Sequence, residues 1–87
     1  MYEVRLTRAA RKGLAKAPKT VRQLFADLVG DLERDGPIQP GWKNYSKLGP
    51  GLYHCHLGFR WVACWRHEKE TLIIEVYYAG SRENAPY

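Results

Sequence analysis

Val21, Leu24, Phe25, Leu28 and Leu32 recur at i, i+3, i+4, i+7 and i+11. That spacing sets five large apolar side chains on one stripe of a helix, and a helix so striped needs an apolar partner to bury it. Gly36 and Pro37 end the helix, the glycine allowing the chain to turn away and the proline unable to continue the backbone pattern. The partner lies downstream. Leu52–Leu57, Arg60–Arg66 and Thr71–Tyr78 read as three strands, joined by a tight Gly58-Phe59 turn and by the polar run His67–Glu70.

Upstream of the long helix, Tyr2–Leu6 alternates polar and apolar and reads as an opening strand. Thr7 can cap a short basic helix whose buried stripe is Ala10, Leu14 and Ala17 and whose remaining surface carries Arg8, Arg11, Lys12 and Lys16. Pro18 suits the first turn of the second helix. The predicted fold is α+β in the order β-α-α-β-β-β, with a helix hairpin packed on one face of a small antiparallel-rich sheet. The Gly- and Pro-rich run Gly36–Gly51 is a connection with room for a small edge strand near Asn44–Leu48. A chain of 87 residues makes one domain, 1–87, and no repeat divides it.

Alternation divides the sheet into two faces. Tyr53, Cys55 and Leu57, then Trp61, Ala63 and Trp65, then Leu72, Ile74, Val76 and Tyr78, belong against the helices. His54, His56, Arg60, Val62, Cys64 and Arg66, with Ile73, Glu75 and Tyr77, fall on the other face, which is expected to be open to solvent. An HxH pair on a strand is more often a solvated surface than a catalytic pair. Two imidazoles beside guanidinium groups are nevertheless the set that cleavage of RNA through its own 2′-OH requires. Histidine titrates near neutrality and can take or give a proton, and arginine stabilises charge on a phosphate without a metal. Arg82 and Tyr87 follow the last strand, where a tyrosine can stack on a base or assist proton transfer.

Charge and cysteine usage narrow the classes. Fourteen Lys and Arg against nine Asp and Glu leave a net charge of +5, which favours an anionic partner. Cys55 and Cys64 lie inside strands with no metal-type spacing, as reduced thiols of a cytoplasmic protein do. Metal binding would need third and fourth ligands, and His67, the one further histidine, sits at a strand end, so neither metal nor other cofactor is expected. The opening MYEVRLTRAARKG lacks the apolar core of a signal peptide, and no run is long enough to span a membrane.

Taken together, YEVRLTRAARKGLAKAPKTVRQLF, NYSKLGPGLYHCHL, WVACWR and IIEVYYAGSRENAPY resemble the RelE/ParE superfamily of type II toxin–antitoxin toxins, nearest its cytotoxic translational repressor branch. The resemblance covers nearly the whole chain. It implies two helices against an antiparallel sheet and a metal-independent, ribosome-dependent mRNA endoribonuclease. By position it implies catalytic roles for His54, His56, Arg60, Arg82 and Tyr87, and RNA contacts for Lys43, Lys47 and Arg66. It implies a cognate antitoxin, the ribosome and mRNA as partners, a toxin–antitoxin hetero-oligomer, and no membrane. The family often carries lysine or arginine where this chain has histidine, which leaves open which histidine is acid and which is base. Two other readings stand beside it: a ParE-like inhibitor of DNA gyrase that cleaves no RNA, and a degenerate toxin that only binds its antitoxin. The first needs no proton-transfer groups, so the histidine face argues against it.

Overall fold

The computed structural model describes all residues from Met1 to Tyr87. The chain runs through β1 (Glu3–Leu6), α1 (Arg8–Ala15), α2 (Lys19–Asp35), β2 (Ser46–Gly49), β3 (Leu52–His56), β4 (Trp61–His67) and β5 (Ile73–Ser81), and ends in a 3-10 turn at Arg82–Asn84. The five strands form one sheet in the order β1-β5-β4-β3-β2. β1 pairs with β5 in parallel, and the other three pairings are antiparallel. The architecture is the expected α+β helix hairpin on a sheet, with β2 as a short edge strand inside the Gly- and Pro-rich connection.

Local chemistry explains the helix ends. The Thr7 hydroxyl accepts from the Ala10 amide at 3.2 Å, satisfying one of the free donors at the start of α1. Pro18, with φ −59° and ψ 155°, caps α2, which opens at Lys19. Gly36 leaves α2 at φ 89°, a left-handed value that glycine adopts without steric cost. A Cβ at Gly13 would stand 1.7 Å from the Ala79 carbonyl oxygen, so α1 lies on β5 at a distance only a glycine permits.

The core is the layer between helices and sheet. Ala10, Val21, Phe25, Leu28 and Leu32 meet Tyr53, Cys55, Leu57, Ala63, Trp65, Ile74, Val76 and Ala79. Trp65 is fully buried, and its indole N–H donates to the Pro37 carbonyl at 3.0 Å, so the ring is satisfied where it is buried. That bond also fixes the connection after α2. Gln39 donates from its amide to the Asp31 and Gly36 carbonyls, and the Trp42 indole donates to Asp31 Oδ2 at 2.9 Å. The connection is therefore pinned to the end of α2 and then delivers β2 to the sheet edge.

Two expectations about β5 need correction. Leu72 precedes the strand and is 61 % exposed rather than core. Tyr78 does not share the side of Ile74 and Val76. Val76 pairs with Trp65 but Tyr78 pairs with Cys64, leaving Tyr77 as an extra residue in the ladder. Such a bulge breaks strict alternation, so Tyr78 joins the row of Cys64 and His54.

Candidate functional site

His54 and His56 project from β3 on the face away from the helices. Their ring centroids are 5.7 Å apart, at an interplanar angle of 62°. The face is not open at this point, contrary to expectation: His54 is 7 % and His56 9 % exposed. Three pieces of chain cover them. β2 runs alongside β3 with Ser46 opposite His54, and the Ser46 hydroxyl lies 2.9 Å from His54 Nδ1. The end of the connection folds in next to β3, where the His56 amide donates to the Lys43 carbonyl at 2.8 Å. That brings Asn44, at φ 53°, to donate from Nδ2 to His56 Nδ1 at 3.3 Å. The C-terminal residue closes the third side: the Tyr87 ring packs 4.6 Å from the His54 ring, centroid to centroid.

This setting acts on protonation. Burial lowers the His54 pKa from its ordinary value, a hydrogen bond with the Ser46 backbone partly opposing it. Burial also lowers that of His56, and the charges of His54, Arg82 and Lys43 push it the same way. Arg82 and Lys43 are thus close enough to His56 for their fields to be felt, although both are exposed. The Tyr87 hydroxyl is raised by loss of solvent and by the neighbouring Cys64, with Arg82 opposing. It is a protonated hydrogen-bond donor at neutral pH. Burial pushes Cys64, opposite His54 on β4, up to about 12, and Cys55 likewise. Both are protonated thiols at neutral pH, unsuited to nucleophilic chemistry.

His54, His56, Arg82, Tyr87 and Lys43 therefore converge. Arg82 is carried there because the end of β5 is tied to the β3–β4 turn: its amide donates to the Arg60 carbonyl at 2.7 Å. Arg60 itself lies in that turn, one residue before β4, rather than in the strand. Its guanidinium sits 5.9 Å from the centroid of the Phe59 ring, in a pocket shared with Arg82. The other two cations lie elsewhere. Lys47 pairs with Tyr53, a residue of the helix-side core, so the register sets it on the opposite side of the sheet from the histidines. Arg66 shares the histidine face but is engaged: it bonds to Glu75 at 2.7 Å and lies 4.9 Å over the Tyr77 ring. Asn44 and Ser46, which hold the two imidazoles, carry no motif of their own, and only the register of β2 against β3 reveals them. No group of three or more His, Cys, Asp or Glu side chains converges into a metal-binding cluster.

This is the fold of the RelE-like toxins. The chain is similar to the toxin in the E. coli RelBE toxin–antitoxin complex, with TM-score 0.77 and 19% identity over 97% of this chain and 100% of that one. It is similar to a chain of the archaeal RelE–RelB complex from Pyrococcus horikoshii, with TM-score 0.75, 18% identity, and coverage of 97% and 98%. A metal-bound toxin from Helicobacter pylori aligns with TM-score 0.72 and 20% identity over 95% of this chain and 97% of its own. No family model matches the sequence, and no curated protein does. The kinship is one of fold: at these identities most side chains differ, and the site must be judged from its own residues.

Proposed function

We propose that the chain is the toxin of a type II toxin–antitoxin pair and an endoribonuclease that cuts translated mRNA on the ribosome by attack of the RNA's own 2′-OH, without a metal. The observation that carries this is the buried pair His54 and His56, held at 5.7 Å beside Arg82 and Tyr87. A face meant only to be solvated has no need of two desolvated imidazoles, each fixed through Nδ1 by a neighbour.

The contacts hold both rings through Nδ1. Asn44 donates to His56 Nδ1, so the neutral ring carries its proton on Nε2. The Ser46 contact lets His54 donate from Nδ1, which leaves a lone pair on Nε2. One imidazole takes the 2′-OH proton as base, and the other, when protonated, gives one to the departing 5′-oxygen. The O2′–P bond forms as the P–O5′ bond breaks, leaving a 2′,3′-cyclic phosphate and a 5′-hydroxyl. Arg82, with Lys43, neutralises the charge gathering on the phosphate oxygens. Tyr87 holds the His54 ring and offers a protonated hydroxyl beside it. Neither gyrase inhibition nor mere antitoxin binding uses such an arrangement.

The test is induced expression with mapping of mRNA 5′ ends, beside a gyrase supercoiling assay and with His54→Ala and His56→Ala as controls. New 5′-hydroxyl ends within translated regions, absent in the variants, are expected. Intact transcripts with inhibited gyrase would assign the ParE-like activity instead. Intact transcripts with normal gyrase and normal growth would leave only antitoxin binding.

A further inference from the structure

Arg82 also borders a pocket at the end of the sheet whose other lining residues the proposed cleavage step leaves unused. Phe59, Arg60, Trp61, Ser81, Arg82 and Glu83 line it, and its volume is about 310 Å³. That lies at the lower end of the range of small-ligand pockets, ~300–1,000 Å³. Phe59 is 72 % exposed at the tip of the β3–β4 turn, where it supports no core. The turn is nonetheless well held. Gly58 adopts φ 86°, the Leu57 amide donates to the Trp61 carbonyl at 2.7 Å, and the Arg82 amide donates to the Arg60 carbonyl at 2.7 Å. A rigid turn thus presents an aromatic ring with the Arg60 guanidinium 5.9 Å from its centroid.

The geometry points to a nucleobase subsite here: Phe59 and Arg60 stack the base of the nucleotide next to the cleaved phosphate, while Arg82 grips that phosphate from the pocket's inner edge. This rests on the proposed nuclease function and adds where the flanking nucleotide lies. The composition fits that occupant. A ring face and a guanidinium plane are the two protein surfaces on which bases stack. The Arg82 guanidinium matches the phosphate. Glu83 supplies one acceptor for an N–H donor, which every RNA base carries. An apolar ligand would leave Arg60, Arg82 and Glu83 without partners, and a bare anion would leave Phe59 without purpose.

Two measurements test the subsite and separate its failure from failure of the nuclease reading. The first needs no cleavage. The full-length protein is titrated with adenosine, guanosine, cytidine and uridine 5′-monophosphates, and with inorganic phosphate, while backbone amide NMR shifts are followed. Nucleotides should move Phe59, Arg60, Trp61 and Arg82 together, and phosphate should move Arg82 with little effect at Phe59. Equal responses to phosphate and nucleotides would reduce the pocket to an anion site and overturn the stacking assignment. No shift in the pocket would overturn it altogether, whatever the protein does to RNA. The second compares Phe59→Ala and Phe59→Trp in a ribosome cleavage assay. Loss of one stacked base should lower kcat/KM by about 5- to 100-fold, with Trp restoring it. Phe59→Ala should melt with the wild type, since its side chain is exposed. Wild-type cleavage by Phe59→Ala would also overturn the subsite, whereas absence of cleavage by the wild type would count against the nuclease alone and leave the titration to decide.

Discussion

Substituting Gly13 by alanine sets two physical effects against each other with opposite signs. In the interior of a helix, glycine is less favourable than alanine by about 1 kcal/mol, because it surrenders more backbone freedom on folding. Propensity alone therefore expects Gly13→Ala to stabilise α1. The structure expects the reverse. The new Cβ would stand 1.7 Å from the Ala79 carbonyl oxygen and 2.9 Å from its carbon. Both are backbone atoms of β5, so no side chain can swing aside. Either α1 lifts off the sheet or β5 bends, and overpacking of this kind costs ~1–3 kcal/mol or more. Set against the propensity gain, the net is a destabilisation of up to about 2 kcal/mol.

Gly30 provides the matched control. It lies within α2, and a Cβ there meets nothing within 4 Å. Gly30→Ala should stabilise by about 0.5–1 kcal/mol. For a domain of this size 1 kcal/mol shifts Tm by about 4–8 °C, so the two variants should move in opposite directions by resolvable amounts. Urea denaturation with an unchanged m-value would confirm that only stability had changed. If both variants are stabilised, the close approach of α1 to the end of β5 is wrong. That end carries Arg82 and Tyr87, so Gly13→Ala should also weaken cleavage by more than its unfolded fraction explains.

The remaining expectations concern the site. His54→Ala and His56→Ala should each cut cleavage by roughly 10²-fold or more in a single-turnover assay. Because both rings are buried and bonded, each variant should also lose ~1–3 kcal/mol in a denaturation curve, unlike an exposed strand position. Cleavage should survive EDTA, and restoration by added zinc after chelation would refute the metal-independent mechanism. Both histidine pKa values are lowered in the folded protein, so their contribution to stability is complete above about pH 6.5 and is lost as pH falls through the lowered values. A His54→Gln, His56→Gln double variant should show a flatter acid limb in Tm against pH. By the same shifts, the pH optimum of kcat/KM, which reports the free enzyme, should fall on the acid side of about 6.5. Tyr53→Ala should unfold the chain before it affects chemistry, since Tyr53 packs among Tyr45 and Trp65 with ring centroids 6.2 Å from each.

Most of the scaffold was legible because periodicity is a strong signal. The α2 stripe, its Gly36-Pro37 stop and the Thr7 cap all act within a few residues of one another, so the sequence alone places them. The faces of β3 and β4 followed from alternation for the same reason. Alternation failed at Tyr77, because a bulge is a decision of the pairing between two strands and not of either one. The side taken by Lys47 was not legible for a related cause. Its side follows from pairing with Tyr53 in a short edge strand, and nothing in a Gly- and Pro-rich run announces that register.

The burial of the histidines is the larger lesson, and it is one of topology. A two-layer fold leaves one face of its sheet uncovered, which is why His54 and His56 read as solvent-facing. Here three segments distant in sequence close over them: the Lys43–Asn44 turn, Ser46 of β2, and the C-terminal Tyr87. None is long enough to be recognised as a layer. Their combined effect changes the chemistry of the pair. In water an imidazole near neutrality is partly cationic, and two of them 5.7 Å apart would repel. Excluding water lowers both pKa values, and the fields of Arg82 and Lys43 lower that of His56 further, which would keep a base free to accept a proton and make a protonated partner a stronger acid. The cations that depress His56 are also those that could attract a phosphate. An arriving phosphodiester would offset their field and raise the pKa of His56 again. If the proposed cleavage holds, an RNA bound at Arg82 and Lys43 would thereby favour the protonated form of His56.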